Sequence, residues 1–316
     1  MTNEFLLQDR LQKIRQIIGK YGEENFYISF SGGKDSTVVS ALIDMALGEQ
    51  NKIPRVYANT GIELNMIKDF VFKKAEKDDR FKIIAPSIPI KPMLEKEGYP
   101  FKSKSHSKWH ERYTRIGKSE GVLQYLSERT DKEAWSSQSR CPNCLKYQFT
   151  PEFTLKISDK CCVRMKEEPL DKWGKEHNKP YSIIGIMREE AGRRNNAQCL
   201  AFDGRKKLKA FQPLAPVTKE WEEWLIKEYD IEICDIYKYP YNFERTGCKG
   251  CPFARNLQKE LDTLEEFFPQ ERKQCEIIWK PVYDEYRRIG YRLKPLDEGK
   301  QMTIAEIEGD TDADTD

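Results

Sequence analysis

Apolar positions in the N-terminal part of the chain alternate between helical spacing and short continuous runs. Residues 4–20 read as an amphipathic helix, and NFYISF (25–30) as a short buried strand. Val38, Val39, Leu42, Ile43, Ala46 and Leu47 then return to helical spacing. RVYAN (55–59) predicts a second strand, residues 63–77 a helix, and FKIIAP (81–86) a third strand. Strands alternating with helices predict parallel βαβ units, whose ligands gather at the carboxyl ends of the strands. The rhythm breaks over 91–160, a polar and basic stretch containing YPFKSKSHSKWHERYTRIGK, which reads as an insertion. It resumes with YSIIGI (181–186), which ends at Met187-Arg188-Glu189-Glu190. A helix is expected after Pro216, capped by Thr218, with Trp221, Trp224, Leu225 and Tyr229 on one face. RTGCKGCPF reads as a turn before helices at about 256–267 and 270–289. The expected organisation is an α/β domain over 1–240 carrying the basic insertion, a turn and C-terminal helical segment over 241–295, and an acidic, disordered tail over 296–316.

Composition narrows the class. Of 316 residues, 34% are charged and 38% hydrophobic, and the net charge is +2, so any case for a polyanionic partner must be local. No apolar run approaches the roughly 18 residues that a membrane span needs. The amphipathic start does not read as a signal peptide, so a cytoplasmic location and no membrane partner are expected. Nine cysteines are many for a reducing compartment. Cys141 and Cys144, Cys161 and Cys162, and Cys248 and Cys251 form close pairs, whereas Cys199, Cys234 and Cys275 stand alone. Such pairs point to metal or redox chemistry before crosslinks.

Ser31-Gly32-Gly33-Lys34-Asp35-Ser36 lies between the first strand, with Ser29 near its end, and the following helix. Two glycines leave the backbone N–H groups unobstructed, and the helix dipole adds attraction for an anion. Lys34 and the hydroxyls of Ser31 and Ser36 are further donors. The spacing is not that of a Walker A loop. A plain glycine-rich turn is the bland reading, which the complete motif in this context outweighs.

With these residues the chain resembles the PP-loop ATP pyrophosphatases, a superfamily that includes sulfonucleotide reductases and tRNA thiolation enzymes. The resemblance implies a HUP-like parallel-sheet fold (the adenine nucleotide α-hydrolase kind). It also implies an adenine nucleotide, ATP with Mg2+, whose triphosphate lies on Ser31, Gly32, Gly33, Lys34, Asp35 and Ser36, near Ser29. NTGIEL (59–64) is similar to the segment near the adenosine, which nominates Asn59, Thr60 and Gly61. GIMREEAGRR (185–194) resembles the arginine-bearing segment near the phosphates, which nominates Arg188 beside Lys34 and Asp35 as catalytic. An anion-binding arginine at a strand end is physically reasonable. A surface arginine paired with Glu189 or Glu190 is the alternative.

Cys161-Cys162 and Cys248-Lys-Gly-Cys251 could together hold zinc or a 4Fe–4S cluster, or be buried core thiols. Adjacent cysteines diverge, which suits a cluster of several irons better than one tetrahedral ion. The pattern resembles that of adenylylsulfate reductases, including the lysine and Pro-Leu after the first pair. Lys166, one helical turn on, could complement an anionic cluster. Both pairs flank segments expected near the ligand-binding edge of the sheet, so the cluster is expected beside the nucleotide and as a clip between the C-terminal helices and the α/β domain. Cys141-Pro-Asn-Cys144 with His106 and His110 could form a zinc knuckle, or be an ordinary or redox-labile pair.

One departure matters. Reductases of the phosphoadenosine phosphosulfate (PAPS) and adenylylsulfate family use a nucleophilic cysteine in a C-terminal segment, and no cysteine follows Cys275 here. Cys275 sits on a helix in a position that suits packing. The full SGGKDS loop is the ATP-using type. The expected function is therefore hydrolysis of ATP at the α-phosphate, adenylating a substrate for sulfur transfer or nucleic-acid modification, with a sulfur-donor protein as partner. A sulfonucleotide reductase and a non-catalytic nucleotide- or redox-sensing subunit are the alternatives. The run from Lys102 to Lys118, with Lys104, Lys108, Trp109, Arg112, Tyr113 and Arg115, is the local argument for a nucleic-acid substrate, against a solvated charged loop. Nothing in the sequence sets an oligomeric state.

Overall fold

The computed structural model describes residues 2–128, 136, 139–189 and 197–295. These form two compact units, one comprising Met1–Ser87 and Met165–Gly247, the other Ile88–Arg164 and Cys248–Asp316. The polar insertion and the C-terminal helices, far apart in sequence, thus share one unit.

The first unit is built on a six-stranded sheet of order β3-β2-β1-β4-β6-β5. Its strands are β1 (Phe26–Ser29), β2 (Arg55–Ala58), β3 (Phe81–Ile84), β4 (Tyr181–Ile183), β5 (Leu200–Phe202) and β6 (Leu208–Phe211). All neighbours pair in parallel except β5 with β6. Alternation along β1 sends Phe26 and Ile28 to one face and Tyr27 to the other. The first face packs on α1 (Asn3–Tyr21), α2 (Lys34–Leu47) and α8 (Lys219–Glu228), through Ile14, Val38, Leu42, Phe211 and Leu225 among others. On the second face Tyr27 and Val56 meet Trp173 of α7 (Glu168–Glu176). Helix α3 (Asn65–Lys77) completes the β2–β3 crossover. Arg55 is fully buried yet well bonded, its guanidinium reaching Asp44 at 2.6 Å, Ser40 at 3.0 Å and Asn51 at 3.0 Å. A buried charge needs that degree of pairing.

After β1 the chain builds β2 and β3 to one side, then returns to place β4 on the other. The reversal makes the carboxyl end of β1 a topological switch point, where open α/β sheets bind ligands.

The second unit is helical: α4 (Ile90–Glu97), α5 (Lys104–Ile116), α6 (Glu120–Leu126), α9 (Leu257–Phe267) and α10 (Pro269–Arg288), with a short 3-10 turn at Asn143–Phe149. Phe101 packs on Tyr286 with ring centroids 4.5 Å apart, and Tyr147 bonds Glu285, so the insertion and α10 share a core.

Two sequence expectations need correction. YSIIGI is strand only to Ile183, and the chain continues extended beside β6 through the bond from Ile184 N–H to Phe211 O. Tyr229, expected on the packed face of α8, is 46% exposed because it stands at the helix C-cap. The hairpin of β5 and β6 has no counterpart in the sequence reading. The acidic tail lies outside the described residues.

Candidate functional site

The phosphate loop begins where β1 ends. Ser36 lies 5% exposed, and its hydroxyl donates to Gly33 O at 3.0 Å and accepts from Ser31 N–H at 3.1 Å. Ser31 Oγ stands 3.1 Å from Ser36 Oγ and accepts from Gly33 N–H at 3.3 Å. Ser36 therefore holds the loop's shape, while exposed Ser31 faces outward. Gly32 has φ +72, and a Cβ there would meet Val71 and Ile67 of α3 at 2.7 and 2.9 Å. Both the left-handed backbone and the close approach require glycine. Helix α2 starts at Lys34 with Gly33 as its N-cap, which offers no side chain to the helix's first amides.

Two residues that the sequence reading did not nominate stand over this helix start. The Tyr237 hydroxyl accepts from Lys34 N–H at 3.4 Å and bonds the Thr246 hydroxyl, and the Lys34 ammonium lies 5.4 Å from the Tyr237 ring centroid. Burial pushes the Tyr237 phenol well above its ordinary pKa, so it stays a neutral hydroxyl. A Cβ on Gly33 would come 3.2 Å from Tyr237 Oη and 3.4 Å from Thr246 Oγ1.

The neighbouring strand ends complete the edge. After β2, the Asn59 side chain accepts from Gly61 N–H at 3.3 Å, and Gly61 has φ +79. Buried Glu63 accepts from Thr60 N–H at 3.1 Å and from the Thr60 hydroxyl at 2.6 Å. Lys166 pairs with Glu63 at 3.7 Å. After β4, a Cβ on Gly185 would lie 2.9 Å from the Asp35 carbonyl carbon, oxygen and Cβ, so that glycine lets the segment abut the phosphate loop. Three residues on, Arg188 is exposed, its N–H donates to Ala215 O at 3.2 Å, and its guanidinium bonds Ala197 O. Glu189, one partner considered for it, instead accepts from Lys219 N–H at 2.8 Å, and Glu190 lies outside the described residues.

The second unit contains Cys161, Cys162, Cys248 and Cys251. Neighbouring thiols and burial push the Cys161 thiol up strongly, with Cys162 first and Cys251 and Cys248 also contributing; burial raises Cys251, helped by Cys248 and Cys162. Raised in this way, the thiols keep their protons until a metal displaces them. Among the described residues, no group of three or more His, Cys, Asp or Glu side chains is gathered to hold a metal ion. A tetrahedral zinc would need sulfurs within about 3.8 Å of one another, given Zn–S bonds of about 2.3 Å. Four cysteines in two separate pairs are a donor set that either zinc or an iron–sulfur cluster can use.

The Cys248–Cys251 turn is firmly held by α10 and the residues after it. Trp279 Nε1–H donates to Lys249 O at 2.9 Å, Tyr283 Oη–H to Gly250 O, Tyr286 Oη–H to Pro252 O at 3.0 Å, and Arg292 also reaches Pro252 O at 2.7 Å. Gly250 has φ +59, and a Cβ there would meet Tyr283 Oη and the Cys275 sulfur, the latter at 2.8 Å. Cys275 is fully buried against this turn, in a packing role. The buried Lys249 ammonium pairs with Glu271 at 3.2 Å. Cys161 and Cys162 open a helix that widens into a π-helical turn at Val163–Glu167, a local form often found at functional sites.

The sequence matches the family model of the phosphoadenosine phosphosulfate reductase domain over residues 25–142 and 139–254. The chain belongs to this family. Its mostly parallel sheet is the HUP-like arrangement of PP-loop nucleotide-binding proteins. No curated protein matches. Among solved structures, the chain is similar to a PAPS reductase from Candida auris in a phosphate complex, at 13% identity and TM-score 0.42, covering 72% of this chain and 82% of that one. It is similar to an NH3-dependent NAD synthetase from Campylobacter jejuni, at 12% identity and TM-score 0.41, covering 94% and 100%. It is also similar to a U34-tRNA thiolase from Methanococcus maripaludis with its 4Fe–4S cluster, at 14% identity and TM-score 0.39, covering 96% and 87%. Likenesses this distant transfer no residue roles.

In this family member the zinc knuckle considered for His106, His110, Cys141 and Cys144 is not formed among the described residues. Both His106 nitrogens are engaged, Nδ1 with Tyr125 Oη at 2.9 Å and Nε2 with Gln148 Oε1 at 2.7 Å. His110 Nε2–H donates to Gln148 O at 3.0 Å. Both rings belong to the core of the unit. Helix α5 turns these histidines inward while Lys104, Lys108, Arg112 and Arg115 lie exposed along the other side. Trp109 stacks on Tyr125 with centroids 6.0 Å apart, so the aromatic residue of the basic run is half occupied in packing. No described helix is long and apolar enough to cross a membrane.

Proposed function

We propose that this protein is an enzyme that binds ATP with Mg2+ on the loop Ser31–Ser36 and directs a nucleophile to the α-phosphate, forming an adenylate and releasing pyrophosphate. The observation that carries the reading is the uncapped start of α2 at the switch point of the sheet, reached through a loop whose glycines are sterically required. Lys34 and the N-terminal end of α2 neutralise phosphate charge, Asp35 carries the carboxylate for Mg2+, and Arg188 approaches from the β4 side, beyond Gly185. Asn59, Thr60 and Gly61, with Ser29 beneath the loop, hold the nucleoside end. Glu63 fixes Thr60 and so the shape of that rim.

Cys161, Cys162, Cys248 and Cys251 would hold a 4Fe–4S cluster, which supplies electron transfer or sulfur ligation when bound. The complete SGGKDS loop, which resembles the ATP-using type, favours adenylation coupled to sulfur transfer, with a sulfur-donor protein, over reduction of a sulfonucleotide. The family match supports sulfonucleotide reduction as the second reading. The exposed basic ridge of α5 favours a nucleic acid as the acceptor.

Anaerobic purification with iron, sulfide and nucleotide measured on one sample tests the assignment. The protein should be brown, with an absorption shoulder near roughly 400 nm. Single Cys→Ala changes at the four positions should bleach it and lower stability, whereas Cys144→Ala should do neither. Stoichiometric zinc without iron, or bleaching by Cys144→Ala alone, would overturn the ligand set.

A further inference from the structure

Cys141 and Cys144 take no part in the proposed reaction, yet their setting is highly unequal. Cys141 is 2% exposed, directly after the turn at Ser139 and Arg140, with its sulfur 3.5 Å from Pro142 O. Cys144 is exposed, in the first turn of the 3-10 helix Asn143–Phe149. Lys102 faces both sulfurs from the left-handed position before α5, with φ 56, and its own N–H donates to Tyr286 Oη at 2.7 Å. The Tyr125 hydroxyl bonds the Cys141 sulfur from α6, and Lys146, Tyr291 and Arg292 are the other charged or titratable groups facing the pair and Lys102. Burial pushes the Cys141 thiol up to about 12, and Lys102 and Lys146 pull it back toward the thiolate.

We infer that Cys141 and Cys144 form a thiol–disulfide exchange site, in which exposed Cys144 attacks an external disulfide and buried Cys141 resolves the product. Accessibility fixes the order, since an incoming disulfide reaches Cys144 and Cys141 is its sheltered neighbour three residues away. The Cys144 thiolate attacks one sulfur of R–S–S–R, forming Cys144–S–S–R and expelling R–S⁻, which takes up the proton that Cys144 released. The Cys141 thiolate then attacks Cys144 Sγ, forming the internal disulfide and expelling the second R–S⁻, protonated in turn. Two electrons pass from the cysteine pair to the external disulfide. Lys102 stabilises the Cys141 thiolate in the second step. The site requires neither the nucleotide nor the cluster.

Arg140 and Lys146 bracket the hexapeptide CPNCLK, so trypsin releases both cysteines on one fragment. The full-length protein, purified anaerobically, is equilibrated in buffers of graded glutathione ratio, acid-quenched, alkylated, digested and weighed. The fragment should pass in one transition from doubly alkylated to unalkylated and two hydrogens lighter. Cys141→Ser should trap glutathione on Cys144, and Cys144→Ser should abolish the adduct. Lys102→Met should slow the resolving step about threefold, because the loss of thiolate outweighs the gain in its nucleophilicity. Oxidised glutathione and oxidised thioredoxin are compared as oxidants, and the faster one assigns a small-molecule or a protein disulfide. Double alkylation at every ratio with both oxidants, or a stable glutathione adduct on Cys144 of the unaltered protein, overturns the inference without requiring any variant to fold.

Discussion

Gly185→Ala is the sharpest test of how the phosphate loop is held. The added Cβ would sit 2.9 Å from the Asp35 carbonyl carbon, oxygen and Cβ, and two of those atoms are backbone that cannot swing aside. Ordinary carbon contacts lie at about 3.5–4.0 Å, so the β4 segment and the start of α2 must separate by about 0.6 Å or more. Overpacking of this kind costs about 1–3 kcal/mol. If the strain falls on the loop, it weakens nucleotide binding by about 5- to 150-fold. Calorimetric titration with ATP–Mg2+ should show that loss, while the melting temperature without nucleotide falls only a few degrees. Gly204→Ala, in the β5–β6 turn with nothing within 4 Å of its added Cβ, is the control and should leave affinity unchanged. Unchanged ATP affinity in Gly185→Ala would refute the claim that this contact shapes the binding site.

Two other expectations concern the helical unit. Burial lowers His106 to about 3 and His110 to about 4, so the folded protein keeps both neutral while an unfolded chain protonates them below about 6.5. Neither affects stability above that pH; as pH falls through the window from 6.5 to 4, the unfolded state takes up both protons and stability declines by up to about 2.7 kcal/mol per pH unit from this pair. Urea unfolding at pH 7.0 and 5.5 should show the decline, and His106→Asn should remove about half of the pair's share; an identical pH response in that variant would contradict the assignment. Neutralising Lys104, Lys108, Arg112 and Arg115 together should weaken binding to tRNA or single-stranded DNA and flatten its salt dependence, measured by fluorescence anisotropy. If the unaltered protein shows no salt-dependent binding, the nucleic-acid acceptor is wrong.

The sheet was largely legible because each central strand is a short apolar run next to a helix of clear period, from NFYISF through FKIIAP. The β5–β6 hairpin was not, because its strands are short and flank Asp203-Gly204-Arg205-Lys206-Lys207, a polar stretch without strand character. SGGKDS announced the loop, but its supports did not announce themselves. Gly185, Tyr237 and Thr246 matter only through contacts across long sequence separations. The same holds for Trp279, Tyr283 and Tyr286, whose spacing reads as an ordinary packed helix face until their polar tips are seen on the cysteine turn. In α5 the exposed charges concealed a buried face, and the i,i+4 histidines suggested ligands where the fold uses core hydrogen bonds.

The central claim is that ATP is cleaved at its α-phosphate on the Ser31–Ser36 loop. It is tested most directly by incubating anaerobically purified protein with α-labelled ATP, Mg2+ and candidate acceptor and sulfide, then separating the products. The account predicts pyrophosphate with AMP or an adenylate, and loss of both product formation and ATP binding in Gly33→Val, whose side chain enters the space under Tyr237 and Thr246. ADP with orthophosphate as products, or undiminished ATP binding by a folded Gly33→Val protein, would contradict it.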